Sequence, residues 1–416
     1  LQQYIHNIIQ FLNSTLQKKN VSLTTMTANI IFEGKEMKSS DGSSRSSRVK
    51  RIMRLVKTMK DKEWVEKLLR NHRVTIRTMK SNDEETTRKL PQSMRGKFEA
   101  RRKRQHKCLE HNGDVIRMLL KDDPVDDVVC FNDRPSGESY DDVGLLLIQV
   151  LREWTVLGKS ARSRCSQDIL SVCESVRRKH SGPLVAIVPG SGLARLAFDI
   201  ATKGFDVTGI ECSRMMATAS RNILSMTRSK DEMSFFPYAI RRGNTIGRCS
   251  NNSGISRKCM FPDIHAESLA KLTSPQYESS LTIFQGAFGT PDSSLYIDDN
   301  STDILATSFF VDCVPDLVGL IKEARRILKP GGTWVNFGPL KYHQIGCASD
   351  RLTWDEFVEL ISLSGFRVVA DEIRKSCLYL PVRSSSLFLL LSLNSPFITI
   401  FVFLVTRRCD GFEARL

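Results

Sequence analysis

Two glycines and one carboxylate near the middle of the chain have the types and spacing of a ligand site. Gly190 and Gly192 follow the apolar run LVAIV, and Glu211 closes the next apolar run, 21 residues after Gly190. Glycines at such a turn let the backbone approach a ligand because they have no Cβ. A carboxylate at the end of the following strand accepts hydrogen bonds from both hydroxyls of a ribose. Gly-x-Gly alone describes many simple turns, but with its strand–turn–helix context and Glu211 it predicts a nucleoside-containing cofactor.

A third marker indicates which nucleoside is bound. The sequence ILKPGG occupies residues 327–332 and precedes the strand-like run TWVNFG. A helix that ends in this way and leads into a strand is typical of S-adenosylmethionine-dependent methyltransferases of the doubly wound class. This cofactor has no pyrophosphate, so its site does not need every phosphate-binding glycine of the GxGxxG pattern. The chain accordingly has no glycine in register after Gly192, where Leu193, Ala194 and Arg195 follow.

The elements that position these residues alternate between strands and helices from residue 143 onward. An amphipathic helix is predicted for 145–165, a loop-rich stretch for 228–280, and helices for 316–328 and 353–364. Strands are predicted at PLVAIVPG, FDVTGIECS, LTIFQGAF, DILATSFFVDC, TWVNFGPL and FRVVADEIRK. This alternation predicts an α/β fold with a doubly wound, Rossmann-like parallel sheet.

Several stretches together resemble the carnosine N-methyltransferase family, also described as N2227-like methyltransferases. They are LREWTVLGKSAR (151–162), IVPGSGLARLAFDIATKGFDVTGIECS (187–213), MFPDI (260–264) and the run from ATSFFVDC to GPLKYH (306–343). The resemblance covers roughly residues 100–380. It implies methyl transfer from S-adenosylmethionine to an imidazole nitrogen of a histidine-containing dipeptide such as carnosine, which gives anserine.

The resemblance also implies which residues bind the cofactor. The family's Gln-x-x-Arg pair falls on Gln149 and Arg152, and Arg152 is suited to the methionyl carboxylate. The family's glycine turn falls on Gly190 and Gly192, and its ribose-binding carboxylate falls on Glu211. We therefore expect these five side chains and backbone segments to surround one cofactor.

The position expected beside the adenine departs from the family. The family has an acidic residue after the third strand, in a Gly-Asp-Phe context, whereas this chain reads Gly286-Ala287-Phe288. Phe288 is retained and is expected to contact the cofactor. Ala287 has no carboxylate to accept a hydrogen bond from the adenine, so a backbone group is expected to replace it at some loss of affinity.

On the substrate side, the resemblance implies roles for Asp312 and His343, each at the carboxyl end of a predicted strand. In this fold, ligands bind at that edge of the sheet. Asp312 would orient the imidazole and His343 would help to hold the dipeptide. The family also uses a C-terminal tyrosine, but the matching stretch is replaced here by the apolar residues 382–405, and the nearby Tyr379 has no secure register.

That apolar stretch allows three interpretations. Residues 387–405, LFLLLSLNSPFITIFVFLV, contain no charged side chain over 19 positions, which is long enough for a membrane span. Asn394, Ser395 and Pro396 interrupt the run and favour a turn between two short buried strands. An aberrant insertion is the third reading, so the sequence favours a β-hairpin and leaves membrane attachment open.

Charge divides the chain into regions. Residues 1–110 contain 26 Lys and Arg against 11 Asp and Glu, and this difference equals the whole net charge of +15. We predict a flexible segment at 1–47, a basic helical extension with an acidic connection at 48–142, and the methyltransferase domain at 143–416. Because the domain itself carries no basic excess, a nucleic-acid-binding function is disfavoured.

Two other functions stay open at this point. One is a methyltransferase that acts on histidine in proteins, and the other is an inactive methyltransferase fold whose basic helices bind nucleic acid or another partner. The 11 cysteines form no CxxC pair, which predicts no metal site and favours a reducing compartment. The expected location is the cytoplasm, with RRKRQHK (101–107) leaving the nucleus open. A homodimer is compatible with the sequence.

Overall fold

The computed structural model describes residues 42–121, 140–226, 229–240, 254–264, 279–289, 297–341, 352–378 and 397–409. The chain divides into two units, residues 1–61 and residues 62–416. The first helix, α1 (Gly42–Lys89), begins within the Ser-rich stretch that the sequence predicted to be flexible up to residue 47. From residue 62 the predicted helical extension belongs to the same unit as the sheet.

The core of the second unit is a seven-stranded mixed sheet with the order β5-β2-β1-β6-β7-β9-β8. Its strands are β1 (Val185–Pro189), β2 (Asp206–Glu211), β5 (Leu281–Gln285), β6 (Thr302–Ser308), β7 (Leu328–Gly338), β8 (Phe366–Leu378) and β9 (Phe397–Arg407). The first five in spatial order pair in parallel, as predicted for a doubly wound sheet. The strand order reverses between β1 and β6, and this point is where ligands bind in such sheets.

Helices cover both faces of the sheet and create two separate apolar layers. They are α3 (Tyr140–Trp154), α4 (Lys159–Lys179), α5 (Arg195–Ala201), α6 (Arg214–Met226), α7 (Leu317–Ile327) and α8 (Trp354–Leu363). Alternate residues of β1 point to opposite faces, with Ala186 and Val188 packing against α4 and α5 and Ile187 packing on the side of α7 and α8. Burial on both faces explains why the parallel strands read as continuous apolar runs.

The apolar segment near the C-terminus contributes a central strand. β9 pairs antiparallel with β7 on one side and with β8 on the other, so the sheet is mixed and not wholly parallel. The sequence predicted that 397–405 forms one strand of a buried hairpin, and β9 is a buried strand. The turn at Asn394–Pro396 and the predicted partner strand before it lie outside the described residues, and the strands that pair with β9 are β7 and β8. Phe403 and Val405 are each 1% exposed, which accounts for the apolar composition of this strand. Within the described residues, no helix has the length and apolar character of a membrane span.

The helical extension packs as an antiparallel pair within the second unit. The part of α1 from residue 62 lies beside α2 (Gln92–Leu119), with ion pairs from Lys80 to Glu110 (2.8 Å) and from Arg102 to Asp83 (2.6 Å). Their apolar faces join α3, α5 and α6 in one cluster that includes Leu68, Leu119, Leu147, Trp154 and Phe198. From residue 62 onward, the basic extension therefore contributes one face to the core of the second unit and exposes a charged face to solvent.

The stretch predicted as loop contains a small second sheet that α2 holds in place. β3 (Met233–Phe235) pairs antiparallel with β4 (Cys259–Phe261). Asn112 donates to the carbonyl oxygen of Phe236 and accepts from its backbone N–H, both at 2.9 Å. Gln105 donates to the carbonyl oxygen of Ala239 at 2.8 Å. These buried side chains replace the strand partner that the segment lacks on that side.

Candidate active site

The glycine turn lies at the switch point of the sheet and requires glycine on steric grounds. Gly190 and Gly192 have φ values of +62° and +56°, a region that other residues adopt with strain. A Cβ on Gly190 would lie 2.5 Å from Cδ2 of Phe310. The turn is tied to the neighbouring strand by the N–H of Ser191, which donates to the carbonyl oxygen of Ile210 at 3.1 Å. The turn therefore requires glycine at position 190, because its φ is positive and the ring of Phe310 occupies the space that a Cβ would take.

Glu211 lies directly beside this turn, as the predicted site requires. It is 7% exposed, and its Oε2 accepts from the backbone N–H of Gly192 while its Oε1 accepts from that of Ser213, both at 2.8 Å. Burial raises the pKa of Glu211, whereas these N–H donors oppose the increase. The thiol and the backbone N–H of Cys212 also donate to this carboxylate, so Glu211 is held in place as a buried acceptor at the end of β2.

The helix before the sheet brings Gln149 and Arg152 to the same side of the molecule. They lie one turn apart on α3, and both are partly buried. The guanidinium of Arg152 lies 4.8 Å from the ring centre of Phe309, which directly follows β6 at the carboxyl edge of the sheet. The structure thus places the positive charge of Arg152 at the same sheet edge as the glycine turn.

Helix α3 is fixed against the glycine turn by Trp154. Its indole Nε1 donates to the carbonyl oxygen of Leu193 at 2.9 Å, and the guanidinium of Arg195 lies 5.1 Å from its ring centre. The single helix predicted over 145–165 was wrong, because the chain turns a corner between α3 and α4. The corner requires glycine at position 158, since a Cβ there would collide with the carbonyl oxygens of Leu151 and Arg152. The hydroxyl of Thr155 closes the corner by accepting from the N–H of Gly158 at 3.1 Å.

A buried ionic network holds this corner in place. Asp263, in the MFPDI stretch, binds Arg162 at 2.6 Å and Arg195 at 2.5 Å. Arg162 also donates to the carbonyl oxygen of Arg152 at 2.9 Å, and Arg195 donates to that of Glu153 at 3.0 Å. The resemblance marked this stretch without giving it a role, and the structure shows that it anchors the end of α3.

On the adenine side, Phe288 is present but largely enclosed. It is 5% exposed, and its ring lies edge-on to that of Phe310 at 6.3 Å. The N–H of Gly286 donates to the backbone oxygen of Glu211 at 2.9 Å. Ala287 lies on this loop without a carboxylate, so polar contacts to an adenine from this position have to come from the backbone.

Asp312 lies at the same edge, just after β6. It is 1% exposed, and its Oδ2 accepts from the backbone N–H of Lys341 at 3.0 Å. Its Oδ1 lies 3.7 Å from Sγ of Cys313, a weak donor. The carboxylate is thus held between the segments that follow β6 and β7. His343 and Tyr379 lie outside the described residues.

Three residues at this edge were not found from the sequence. Phe309 has a φ of +54°, which is unusual for a bulky side chain, and Phe310 packs on the glycine turn. Glu153 lies beneath the same turn, where a Cβ on Gly192 would be 3.2 Å from its Oε1. In the sequence, Phe309 and Phe310 belong to the FFVD motif (309–312) and Glu153 belongs to the REW motif (152–154), and this was the only signal for these three residues. Among the described residues, no cluster of His, Cys, Asp or Glu could hold a metal ion.

Together, the glycine turn at the switch point of the sheet and the buried Glu211 beside it fit an adenosyl cofactor. With the ILKPGG junction, where α7 ends at Ile327 and β7 begins at Leu328, they define an S-adenosylmethionine-dependent methyltransferase of the doubly wound class. The model of the carnosine N-methyltransferase family matches residues 131–392. The chain belongs to this family.

Curated relatives agree with this assignment. A carnosine N-methyltransferase of Dictyostelium discoideum is 31% identical over 231 residues, which cover 54% of this chain and 48% of that protein. One from Rattus norvegicus is 27% identical over 287 residues, covering 64% of this chain and 66% of the rat protein. The chain thus spans about half to two thirds of the length of these relatives. A crystal structure of a putative sarcosine dimethylglycine methyltransferase from Galdieria sulphuraria covers 72% of this chain and 99% of its own at 12% identity, with a TM-score of 0.35.

Proposed function

We propose that this chain transfers a methyl group from S-adenosylmethionine to an imidazole nitrogen of a histidine-containing dipeptide, converting carnosine to anserine. The observation that carries the proposal is the match of the carnosine N-methyltransferase family to residues 131–392. That match includes the glycine turn, Glu211 and Asp312. The proposed substrate is a small molecule, and the proposal needs neither a metal nor nucleic acid.

In this proposal the cofactor lies across the glycine turn. Glu211 accepts the ribose hydroxyls, Arg152 binds the methionyl carboxylate, and Gln149 and Phe288 make further contacts. The bound cofactor supplies a methyl group that its sulfonium has already activated, so positioning provides most of the catalysis. The backbone of Gly190 and Gly192 contributes by letting the cofactor approach without a Cβ in the way.

Asp312 is the proposed orienting group for the substrate. A neutral imidazole has one N–H and one nitrogen with a lone pair. If the Asp312 carboxylate accepts the N–H, the other nitrogen is the nucleophile and can face the methyl group. The same carboxylate would stabilise the imidazolium that forms as the N–C bond is made and the methyl–sulfur bond breaks, with S-adenosylhomocysteine as the leaving group. Loss of the imidazolium N–H proton to solvent then gives the neutral product. The N–H of Lys341 on Oδ2 fixes the direction of the carboxylate. His343 is proposed to hold the dipeptide.

The test is a methyl-transfer assay on carnosine with labelled S-adenosylmethionine, combined with calorimetry of cofactor binding. Asp312→Asn should leave cofactor affinity within about twofold and lower turnover by about 10²-fold or more, a usual range for a lost general-base or orienting group. Asp355→Asn, at an exposed position on α8, is the matched control and should change neither quantity.

The outcomes separate this function from its alternatives. Wild-type protein that binds the cofactor but methylates a histidine-containing peptide or protein, and not carnosine, would indicate a protein methyltransferase. Absence of cofactor binding would indicate an inactive fold with a binding function. Unchanged turnover of Asp312→Asn at saturating carnosine would disprove the orienting role and leave the methyltransferase assignment intact.

A further inference from the structure

Glu153 is a partly buried carboxylate at the proposed cofactor site that the proposed mechanism does not use. It follows Arg152 on α3 and lies against the glycine turn, close enough to Glu211 for the two charges to interact. A Cβ on Gly192 would lie 3.2 Å from its Oε1, and its Oε2 accepts from the N–H of Arg195 at 3.4 Å. The two glutamates therefore approach the same turn from two elements, Glu211 from β2 and Glu153 from α3.

The charge of Glu153 is poorly compensated by the protein itself. Arg152 on its own helix, Arg195 on α5 and Arg162 on α4 all favour the ionised form, and Glu211 on β2 opposes it. Burial outweighs these groups and raises the pKa of Glu153 to about 7. If the role of Glu153 were only to accept from the N–H of Arg195 at the start of α5, an ionised carboxylate would serve best, because negative charge is favourable at the N-terminus of a helix. This carboxylate instead lies where an added cation would stabilise its charge.

We propose that Glu153 binds the α-ammonium group of the methionyl part of S-adenosylmethionine, while Arg152 binds its carboxylate. The inference rests on the proposed function, since it assumes this cofactor. Adjacent side chains of opposite charge match the two charged groups of an amino acid. The site also lies beside Gly192, on the glycine turn across which the cofactor is proposed to lie. Glu153 is in this view a binding residue that fixes the methionyl end of the cofactor.

Binding of a cation beside Glu153 is coupled to its ionisation. The free protein holds a proton on this carboxyl below pH 7, and the ammonium displaces it, so affinity rises with pH. With a free pKa of about 7, affinity should increase up to about eightfold between pH 6.0 and 7.5, with close to one proton released per cofactor at pH 6.0. Calorimetry in two buffers of different ionisation enthalpy measures that proton directly.

The experiment compares wild type with Glu153→Gln, whose amide oxygen still accepts from the N–H of Arg195. The ligands are S-adenosylhomocysteine and its analogue without the α-amino group. Wild type should bind the analogue about tenfold to a hundredfold more weakly, the range of a charge-assisted hydrogen bond. The Gln variant should bind the two ligands within about threefold of each other and release no proton between pH 6.0 and 7.5. Thermal melts of both proteins show that the fold is retained.

Each result has a distinct meaning. If wild type binds neither S-adenosylmethionine nor S-adenosylhomocysteine, the proposed function fails and Glu153 is not the cause. If wild type binds both but discriminates against the deaminated analogue no more than the Gln variant does, the assignment of the ammonium to Glu153 is overturned. Proton release that persists in the Gln variant would overturn it as well, because another group would then be titrating. Glu153→Asp, which keeps the charge on a shorter side chain, should recover part of the discrimination.

Discussion

At the scale of single residues, strained backbone and carboxylates removed from water occur at the positions that are proposed to face the cofactor. Gly190 and Phe309 both have positive φ, and Glu211 and Glu153 are both carboxylates whose pKa burial raises. None of these features helps folding, because strained backbone and buried charge each cost free energy. Such features are expected to occur together at one edge of the sheet if the residue types there are selected for ligand binding and not for stability.

Gly190→Ala should weaken cofactor binding while the rest of the fold persists. The new Cβ would lie 2.5 Å from Phe310 at a backbone φ of +62°, so both the turn and the aromatic ring must move. We expect at least a tenfold loss of cofactor affinity by calorimetry and a destabilisation of about 1–3 kcal/mol. Gly182→Ala is the control, because a Cβ there meets nothing within 4 Å. Equal affinities for the two variants would contradict the steric argument.

The ionisation of Glu153 should also be visible in the stability of the cofactor-free protein. Its folded pKa of about 7 lies above its ordinary value of 4.5, so the folded state binds the proton more tightly. This carboxyl therefore makes stability fall as pH rises from about 4.5 to 7, and the deficit is complete above that window. Glu153→Gln should have a higher melting temperature than wild type at pH 8, and the difference should shrink towards pH 4.5. A constant difference over this pH range would show that the side chain does not titrate as described.

At the scale of elements, the corner between α3 and α4 determines where Arg152 and Glu153 lie. The corner is built by Gly158 and Thr155, and it is tied to the rest of the molecule through Asp263. Asp263 is itself brought there by β4, whose partner strand β3 is held by α2. The second sheet thus links the helical extension to the cofactor site through a continuous series of packed elements.

Asp263→Asn should destabilise the protein and weaken cofactor binding together. It leaves Arg162 and Arg195 buried with reduced compensation, and breaking a buried ion pair costs about 3–5 kcal/mol. Arg162 also holds the carbonyl oxygen of Arg152, so the end of α3 should shift. Urea unfolding and calorimetry measure the two effects. Glu359→Gln, an exposed change on α8, should stay within about 0.5 kcal/mol of wild type. A stable Asp263→Asn protein with normal affinity would exclude this role.

The parts of the fold that follow from local pattern were predictable, and the parts that depend on distant pairing were not. The alternation of apolar runs located β1, β2, β5, β6 and β7, and the spacing of Gly190 and Glu211 placed them together because consecutive parallel strands end at the same edge. The insertion of β9 between β7 and β8 depends on which strand edges of the sheet are unpaired. The local sequence of a strand does not contain that information. Glu153 was missed because an acidic residue on an amphipathic helix normally faces water.

At the scale of the whole molecule, the charge asymmetry has a structural explanation. The basic excess of residues 1–110 lies partly on α1 and α2, where Lys103, Arg104 and Lys107 are exposed. The opposite faces of the same helices are buried against α3 and α6. Deleting residues 45–110 to test whether the basic arm binds polyanions would remove part of the core. Replacing those three exposed cations with serine tests the same question on a folded protein, with retention on phosphocellulose as the measurement.

Because one apolar cluster joins α1, α2 and the cofactor-binding helix α3, the helical extension and the sheet should unfold together. Leu119 is fully buried in this cluster, and Leu119→Ala should cost about 2–5 kcal/mol. Hydrogen exchange should show the same loss of protection in α2 and in β1. No residue of β1 belongs to the apolar cluster that contains Leu119, so a loss in β1 would report unfolding of the whole unit. Lys107→Ala, exposed on the same helix, should change neither. Loss of protection confined to α2 would mean that the extension is an independently folding accessory, and cofactor affinity would then be expected to survive its unfolding.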